Sequence, residues 1–291
     1  MRLDRKVRII IKTALQEDIG REDITTLFTI PYHFKAESAI IAKETGVLCG
    51  LDIVKAVFKE RSKNVIFKAL KKDGDTFKKN EKIAYIKGDA RVVLSAERVA
   101  LNFLSLLSGI ATTTRSFVNR TKRTTVKILD TRKTTPNLRI LEKYAVQVGG
   151  GYNHRKALVD AILIKDNHLR AGKFIRKGKL DEIRMAKCLS YVKNLPSIKV
   201  EIEVETLDEF KKVIKYKPDV VMLDNFKPKQ MKKAVKFRQK YFPKVKLEAS
   251  GGINLENVRR IAKTGVDFIS IGSLTHSPKA IDFSLEIIDK E

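Results

Sequence analysis

The spacing of hydrophobic residues changes along the chain and divides it into two parts. Residues 4–18 repeat apolar side chains at helical spacing, and the polar segment REDITT ends this predicted helix. From about residue 34 to residue 94 the apolar runs are short, as in AIIA, VIFKAL and KIAYI, and turn signals at KKDGD and KGDA separate them. The first part is therefore predicted to be a small α+β unit.

A long helix is predicted to follow this unit. Ser95 is a candidate N-cap, and the segment AERVALNFLSLLSGIATTTRSFVNR keeps helical apolar spacing to about residue 118. We expect this helix to join the two parts of the chain.

From residue 126 onward, short β-branched segments alternate with helical ones. The predicted strands are VKILD, AILIK, KVEIEVE, DVVMLD, VKLEAS and VDFISIG. The predicted helices between them cover roughly residues 138–148, 181–193, 207–215, 228–241 and 255–263. This alternation indicates parallel strand pairing, and both an open doubly wound sheet and a closed barrel fit it.

Polar residues at the strand ends favour the barrel. They are Asp130 with Arg132 and Lys133, Lys165 with Asp166, Glu203 and Glu205, Asp224 with Asn225, Ser250 with Gly251 and Gly252, and Gly272 with Ser273. In a barrel the carboxyl ends of all strands face one site, whereas an open sheet concentrates its ligands at one switch point. We therefore predict an α/β barrel, closed or incomplete.

The strand KVEIEVE alternates three apolar residues with Glu201, Glu203 and Glu205. If the apolar face meets the helices, the three carboxylates point into the barrel. Buried carboxylates cost several kcal/mol each unless cations or a metal ion compensate them. The alternative is a structural role in which they only neutralise Lys165 or Lys199.

Cationic residues that could face these acids follow two other segments. Arg132 and Lys133 come directly after a strand, and His154 and Arg155 follow a glycine run that we expect to be flexible. Arginine offers a planar fork suited to a carboxylate, and lysine is a mobile point charge suited to pyrophosphate. Taken alone, either pair could be an ordinary surface pair.

A phosphate cradle is predicted near the C-terminus. Residues 250–252 let backbone N–H groups approach an anion at the start of a helix expected near Leu255, and residues 272–273 repeat the arrangement one strand later. Phosphate held by the last two loops is a recurrent arrangement in barrels. The alternative is two tight turns that simply need glycine.

The composition is strongly basic, with 60 Lys and Arg against 34 Asp and Glu, or a formal charge of +26. This charge could be background on helix surfaces, attract anionic substrates, or mark a nucleic-acid binder. Because the sequence has no basic strand interleaved with aromatic residues and no helix-turn-helix pattern, nucleic acid is the least favoured partner. We predict neither secretion nor membrane spanning, hence a cytoplasmic protein, and two reduced, buried thiols at Cys49 and Cys188.

A series of motifs in order resembles the quinolinate phosphoribosyltransferases, also called nicotinate-nucleotide pyrophosphorylases (carboxylating). The motifs are EDIGREDIT, SAERVALNFL, SGIATTT, DTRKTTPNLRILEKYAVQVGGGYNHR, LIKDNH, IEVE, VMLDNF, EASGGI and ISIGSLTHS. The resemblance implies an incomplete TIM-like α/β barrel at residues 113–274 with an N-terminal α/β sandwich domain at residues 1–112. We expect a C-terminal helix at residues 275–291 to pack on the sandwich, and a homodimer or a higher oligomer with shared active sites.

The resemblance also implies a reaction: the phosphoribosyl group of 5-phosphoribosyl 1-pyrophosphate (PRPP) is transferred to quinolinate, and loss of CO2 gives nicotinate mononucleotide for NAD biosynthesis. Arg132, His154 and Arg155 would grip the two carboxylates of quinolinate, with Arg98 reaching in from the partner subunit. The related alternatives are an enzyme acting on nicotinate or a molybdenum-related protein. Arg98, Arg132 and Arg155 favour quinolinate over nicotinate, because the single carboxylate of nicotinate does not need three arginines.

The remaining implied roles concern PRPP and Mg²⁺. Lys133 and Lys165 would face the pyrophosphate, and Glu203 and Asp224 would handle the ribose hydroxyls and Mg²⁺, which is carried mainly by the diphosphate. These four residues are the predicted catalytic residues. The loops expected near the phosphates contain Ser250, Gly251, Gly252, Gly272 and Ser273. Asn137, where the family often has glycine, is a mild departure.

Overall fold

The computed structural model describes residues 3–176, 179–193 and 198–288. Its helices are α1 (Arg5–Ile19), α2 (Ile24–Thr29), α3 (Leu51–Arg61), α4 (Ala90–Thr121), α5 (Arg139–Val148), α6 (Asp166–Ala171), α7 (Glu182–Lys193), α8 (Leu207–Val213), α9 (Pro228–Tyr241), α10 (Val258–Ala262) and α11 (Ser273–His276). Its strands are β1 (Lys35–Ala42), β2 (Gly46–Val47), β3 (Ile66–Ala69), β4 (Thr76–Phe77), β5 (Lys82–Asp89), β6 (Lys127–Leu129), β7 (Ala161–Ile164), β8 (Ile175–Arg176), β9 (Lys179–Leu180), β10 (Lys199–Val204), β11 (Val220–Asp224), β12 (Lys246–Ser250), β13 (Phe268–Ser270) and β14 (Phe283–Ile287).

Contacts divide the chain into two compact units. The first comprises the chain up to Arg115, Lys133–Gly151 and the chain from Ser273 onward, and the second comprises Ser116–Arg132 and Tyr152–Gly272. The sequence assigned Lys133–Gly151 to the barrel domain, whereas its contacts place it in the first unit. A local pattern identifies a helix such as α5 but not the unit against which the helix packs.

The first unit contains an antiparallel sheet with strand order β14-β1-β5-β3. The helix predicted over residues 275–291 is wrong for most of its length, because α11 ends at His276 and Phe283–Ile287 forms strand β14. β14 pairs with β1, with Phe283 opposite Ala42 and Ile287 opposite Ser38. The backbone groups of β1 at the edge of the sheet form hydrogen bonds with this segment, and these outweigh its weak local preference for a helix. Residues 289–291 of that predicted helix lie outside the described residues.

Helix α4 begins six residues earlier than predicted, at Ala90 directly after β5. Ser95 is therefore inside the helix, where its hydroxyl donates to the Val92 carbonyl (3.2 Å), and its prediction as an N-cap is wrong. α4 is long and apolar enough to cross a membrane, but 67% of its most apolar window is buried inside the protein. Such burial is typical of a core helix. Cys49 is buried as predicted, whereas Cys188 is only partly buried; both are free thiols.

The second unit contains a parallel sheet with strand order β6-β13-β12-β11-β10-β7. From β7 onward, the strands of this sheet that follow one another in sequence (β7, β10, β11, β12 and β13) are neighbours, while β8 and β9 pair with each other separately. The last strand of the sheet then pairs with the first, with Ile269 of β13 opposite Ile128 of β6. This return to the first strand is what distinguishes a barrel from an open doubly wound sheet. Within the described chain, β6 and β7 are the two edges of the sheet and do not pair with each other; Leu129 of β6 forms an isolated parallel bridge with Tyr152, which precedes β7 in the chain. The predicted incomplete α/β barrel is confirmed.

Local signals explain the helices that cover these strands. The side chain of Thr206 accepts from the Glu209 N–H and the Glu209 side chain reaches back, which forms a capping box for α8. Pro228 occupies the first turn of α9, where no N–H is needed. On α9, the buried Arg238 donates to Asp267 (3.1 Å), which also accepts from the Leu247 N–H. These contacts tie the outer helix to the amino-terminal side of the barrel strands, away from the strand ends that carry the candidate chemistry.

Candidate active site

His154 lies at the centre of a buried network of the second unit. Its backbone N–H donates to Asp130 at the end of β6 (2.8 Å), and its ring Nε2 lies 2.9 Å from Oε2 of Glu201 on β10. Nε2 is also 3.8 Å from Oε1 of Glu248 on β12. Side chains from separate strands therefore converge on one imidazole.

The hydrogen bonds fix the tautomer of His154. The backbone N–H of Arg155 donates to Nδ1 of the ring at 2.8 Å, so Nδ1 is an acceptor and carries no proton. The ring proton is then on Nε2, where it is donated to Glu201. In this arrangement both ring nitrogens of His154 bind groups of the protein itself.

The buried carboxylate of Glu248 is a site residue that the sequence did not reveal. It is 2% exposed, and burial raises its pKa well above the ordinary value, with the negative charge of Glu201 adding to the effect. Among the described residues, Oε1 of Glu248 and Oε1 of Glu201 have no hydrogen-bond partner. The available signal was a carboxylate in the otherwise apolar run of β12.

The predicted row of three inward carboxylates is correct for two positions. Glu201 is 6% exposed and the Glu203 side chain 10% exposed, but Glu205 is exposed because β10 ends at Val204. The inward prediction for Glu205 is therefore wrong. The two-residue alternation holds only while the chain remains extended.

Lys165, Glu203 and Asp224 form a second group at the strand ends. Lys165 Nζ lies 3.1 Å from Glu203 Oε2. Burial raises the pKa of Glu203; the charge of Lys165 opposes this shift, while the charges of Asp224 and Asp166 reinforce it. Carboxylate oxygens are donors that Mg²⁺ prefers, so the chemistry of Glu203 and Asp224 fits the predicted metal.

Two guanidinium groups lie close together in the second unit. Arg155 is half-buried and its Nη1 donates to the Ala161 carbonyl (2.9 Å). Burial lowers the pKa of Arg155, and the positive charge of the half-buried Arg132 lowers it further. Buried Nε of Arg155 has no hydrogen-bond partner in the described part of the chain. Such a pair is compensated when a ligand with two negative charges binds.

The glycine loop after β12 requires glycine at its first position. Gly251 has a positive φ of 91°, and a Cβ atom there would lie 2.1 Å from Oδ1 of Asn225. The Asn225 N–H donates to the Ser250 carbonyl (2.9 Å), which holds the two strand ends together. Gly252 also has a positive φ, of 58°, but a Cβ there would meet nothing within 4 Å.

The helix after this loop begins later than the sequence predicted. α10 begins at Val258, three residues after the predicted start near Leu255. The backbone N–H groups of Glu256 and Asn257 both donate to the side chain of Asn254 at 3.0 Å. These two amides are thus occupied within the protein.

Three of the predicted site residues belong to the first unit. Arg98 is exposed on α4, and Ser273 begins α11 directly after Gly272. The Lys133 carbonyl accepts from the hydroxyl of Thr275 on α11 at 2.7 Å, so the loop after β6 and the segment after β13 meet in this unit.

The glycine run before His154 is packed rather than flexible. A Cβ atom on Gly149 would lie 2.6 Å from the Ala111 carbonyl oxygen, and one on Gly151 would lie 2.8 Å from side-chain carbons of Thr114 and Val146. The glycines allow α5 to approach α4 closely, which rigidifies the segment leading to His154. The expectation of flexibility is wrong.

Comparison with known proteins connects this geometry to a family. The C-terminal domain model of quinolinate phosphoribosyl transferase matches residues 110–286, and the N-terminal domain model matches residues 23–108. A probable nicotinate-nucleotide pyrophosphorylase (carboxylating) of Methanocaldococcus jannaschii is 43% identical over 286 residues, which are 96% of each chain. The nicotinate-nucleotide pyrophosphorylase (carboxylating) of Mycobacterium leprae is 38% identical, again over 96% of each chain. The crystal structure of a nicotinate-nucleotide pyrophosphorylase from Ehrlichia chaffeensis superposes with a TM-score of 0.89 at 39% identity, covering 99% of this chain and all of that one.

Proposed function

The chain belongs to the quinolinate phosphoribosyl transferase family, and we propose that it transfers the phosphoribosyl group of PRPP to quinolinate and decarboxylates the product to nicotinate mononucleotide. It is a pentosyltransferase of NAD biosynthesis. The observation that carries the substrate assignment is the pair of half-buried guanidiniums of Arg132 and Arg155 in the second unit. Quinolinate has two carboxylates on adjacent ring carbons, and the two planar guanidinium groups can each bind one of them.

The site residues have complementary tasks in this reaction. Arg132 and Arg155 bind the carboxylates and hold the pyridine nitrogen toward C1′ of PRPP, which turns a bimolecular encounter into an oriented one. Lys165 approaches the pyrophosphate, and Lys133 does so from the position following Arg132 in the chain. Glu203 and Asp224 would hold Mg²⁺ and the ribose hydroxyls, and Mg²⁺, when bound, would neutralise charge on the diphosphate.

The bond changes follow from these positions. The C1′–oxygen bond to pyrophosphate breaks through an oxocarbenium-like state, and the pyridine nitrogen donates its electron pair to C1′. Lys165 and Lys133 stabilise the charge that develops on the departing pyrophosphate. The ring is now cationic, so it stabilises the electron pair left on the ring carbon when the adjacent carboxylate departs as CO2. A proton from solvent then replaces the carboxylate, and this loss needs no general base.

We also propose a cytoplasmic homodimer in which Arg98 of one protomer completes the site of the other. Large apolar side chains on the first unit support the proposal: Ile24 is 68% exposed, Phe28 85% and Tyr32 75%. Exposed aromatic residues at this density favour association with a second copy. Arg98 is itself exposed and so accessible to a partner. The backbone at residues 250–252 and 272–273 is assigned to the PRPP phosphates.

The decisive assay incubates the protein with quinolinate, PRPP and Mg²⁺ and measures nicotinate mononucleotide and CO2. Nicotinate is the control substrate, and turnover of nicotinate without quinolinate turnover would favour the alternative activity. Arg132→Ala is expected to raise the KM for quinolinate by roughly ten- to a hundredfold, the cost of losing charge-assisted hydrogen bonds. The KM for PRPP should stay near its original value, and Arg259→Ala on the exposed face of α10 should change neither. Equal loss of both affinities in Arg132→Ala would contradict the assignment.

A further inference from the structure

Resting on the proposed function, we infer that Thr275 is a positioning residue for Lys133, one of the two lysines assigned to the diphosphate of PRPP. The hydroxyl of Thr275 donates to the carbonyl oxygen of Lys133 at 2.7 Å, a length typical of a well-formed hydrogen bond between oxygens. Thr275 is 2% exposed, so water does not readily replace this contact. The bond therefore ties the backbone of Lys133 to α11, which lies 142 residues further along the chain.

The two residues that follow Lys133 are held by α5. The hydroxyl oxygen of Thr134 accepts from Nε of Arg139 at 2.9 Å. The backbone N–H of Thr135 donates to both carboxylate oxygens of the buried Glu142, at 3.2 and 3.3 Å. Burial raises the pKa of Glu142, and the hydrogen bonds with Thr135 and the charge of Arg139 oppose this shift. Three consecutive residues of the loop are thus anchored to neighbouring helices of the first unit.

The hydrogen bond of Thr275 connects two segments that the proposed reaction assigns to PRPP. α11 begins at Ser273, directly after Gly272, and Thr275 is its third residue. Lys133 is exposed, and its ammonium stands at the end of a flexible four-carbon stem. Fixing the backbone of Lys133 relative to Ser273 restricts the positions that the ammonium can reach. Such placement matters because a displacement of about 1 Å can lower a rate by about a hundredfold.

A purely structural role is the competing interpretation of Thr275. The hydroxyl of the buried Thr264, just after α10, donates to the Ile261 carbonyl at 2.6 Å and has no assigned functional residue as its partner. Thr275 differs because its acceptor is the backbone of Lys133 itself. The anchoring of the next two residues adds to this difference, since the contacts converge on the loop that carries the charge.

Kinetics of two substitutions at one position test the inference. Thr275→Val keeps the shape of the side chain and removes the hydroxyl, whereas Thr275→Ser keeps the hydroxyl. We expect Thr275→Val to lower kcat/KM for PRPP roughly tenfold and to leave the KM for quinolinate within about twofold of the original. Thr275→Ser should stay near the original values. A defect of the same size in both variants would overturn the inference.

Thr264→Val is the matched control, because it removes a buried hydroxyl that also donates to a backbone carbonyl. It should lower the Tm about as much as Thr275→Val does and leave the kinetics with PRPP unchanged. If the two variants lose the same activity with PRPP, the effect is general destabilisation and the positioning role is wrong.

A double-mutant cycle tests whether Thr275 acts through Lys133. Lys133→Ala removes the ammonium, so Thr275→Val should then change kcat/KM for PRPP by less than about twofold. A further tenfold loss in the double variant would mean that the two residues act independently, and the inference would be rejected.

Calorimetric titration of the free protein with pyrophosphate and MgCl2 separates this inference from the proposed function. If the original protein makes no nicotinate mononucleotide, the proposed function fails, but its affinity for magnesium pyrophosphate still reports on Lys133. We expect Thr275→Val to bind magnesium pyrophosphate roughly tenfold more weakly than Thr275→Ser. Equal affinities of these two variants would count against the positioning role, as would an affinity that Lys133→Ala leaves unchanged.

Thr134→Val provides the same test at the next residue if Thr275→Val does not fold. Thr134 is half-buried in the loop, and the substitution removes the oxygen that accepts from Arg139. Binding of magnesium pyrophosphate should weaken in the same direction, and the effect should disappear when Lys133→Ala is also present. An unchanged affinity in Thr134→Val would overturn the inference.

Discussion

Replacing Asp73 with alanine would remove the cap of α3 and the partner of a tyrosine hydroxyl at the same time. The Asp73 carboxylate accepts from the backbone N–H groups of Gly50 (3.0 Å) and Leu51 (3.1 Å) at the start of α3, which has no cap from its own N-cap residue. It also accepts from the hydroxyl of Tyr144 on α5 at 2.7 Å. Burial, followed by the Asp73 hydrogen bond, raises the pKa of Tyr144, so the hydroxyl keeps its proton.

The magnitude follows from these contacts. A lost helix cap costs about 1 kcal/mol, and a lost hydrogen bond between a charged acceptor and a half-buried hydroxyl costs about 2 kcal/mol. We therefore expect Asp73→Ala to lower the free energy of unfolding by about 3 kcal/mol. For units of this size the Tm should fall by roughly 6–12 °C.

Urea unfolding and calorimetry of four proteins give the test: the original chain, Asp73→Ala, Tyr144→Phe and the double variant. Tyr144→Phe should cost about 2 kcal/mol, or two-thirds as much, because the cap of α3 remains. The two changes should be less than additive, since they share one hydrogen bond. Asp18→Ala, at an exposed position of α1, is the control and should cost less than about 0.5 kcal/mol. A Tm for Asp73→Ala within a degree of the control would refute the reasoning.

Two further changes probe the barrel. Burial raises the pKa of Glu248 above 4.5, so the native state binds the carboxyl proton of Glu248 more tightly than the unfolded chain does. The protonated Glu248 therefore contributes fully to stability below about pH 4.5, and this contribution is lost as pH rises through the native pKa. Glu248→Gln should therefore flatten the decline of unfolding free energy with rising pH, measured by urea titration at a series of pH values, and an unchanged slope would disagree. Gly251→Ala should raise the KM for PRPP and lower stability, since the new Cβ would meet Asn225. Gly74→Ala, with a similar φ of 94° and no neighbour within 4 Å, has the same backbone strain and should leave the KM for PRPP unchanged; equal KM values in the two variants would contradict the role of the loop.

Elements of the barrel could be predicted closely because their signals are local. The predicted helix at residues 228–241 has the observed bounds of α9, and the strand KVEIEVE differs from β10 by one residue. Proline at the first turn and apolar spacing specify the helix, and two-residue alternation specifies the strand. The motif resemblance then added the family, which the comparisons confirm.

The order of the six barrel strands, their parallel pairing and most of the residues at their ends could be predicted from the chain alone, because these features depend on periodicities within a few residues of one another. Three features became visible only in three dimensions: the pairing of Phe283–Ile287 with β1, the position of Glu248 beside His154, and the side chain of Asn254 accepting from the amides before α10. Each of these contacts needs a partner whose position is set by the rest of the fold or by loop geometry, and the pattern of apolar and polar residues does not specify that position. A buried carboxylate and an edge strand acquire their partners only when distant parts of the chain come together, and the free energy of those contacts exceeds local preference.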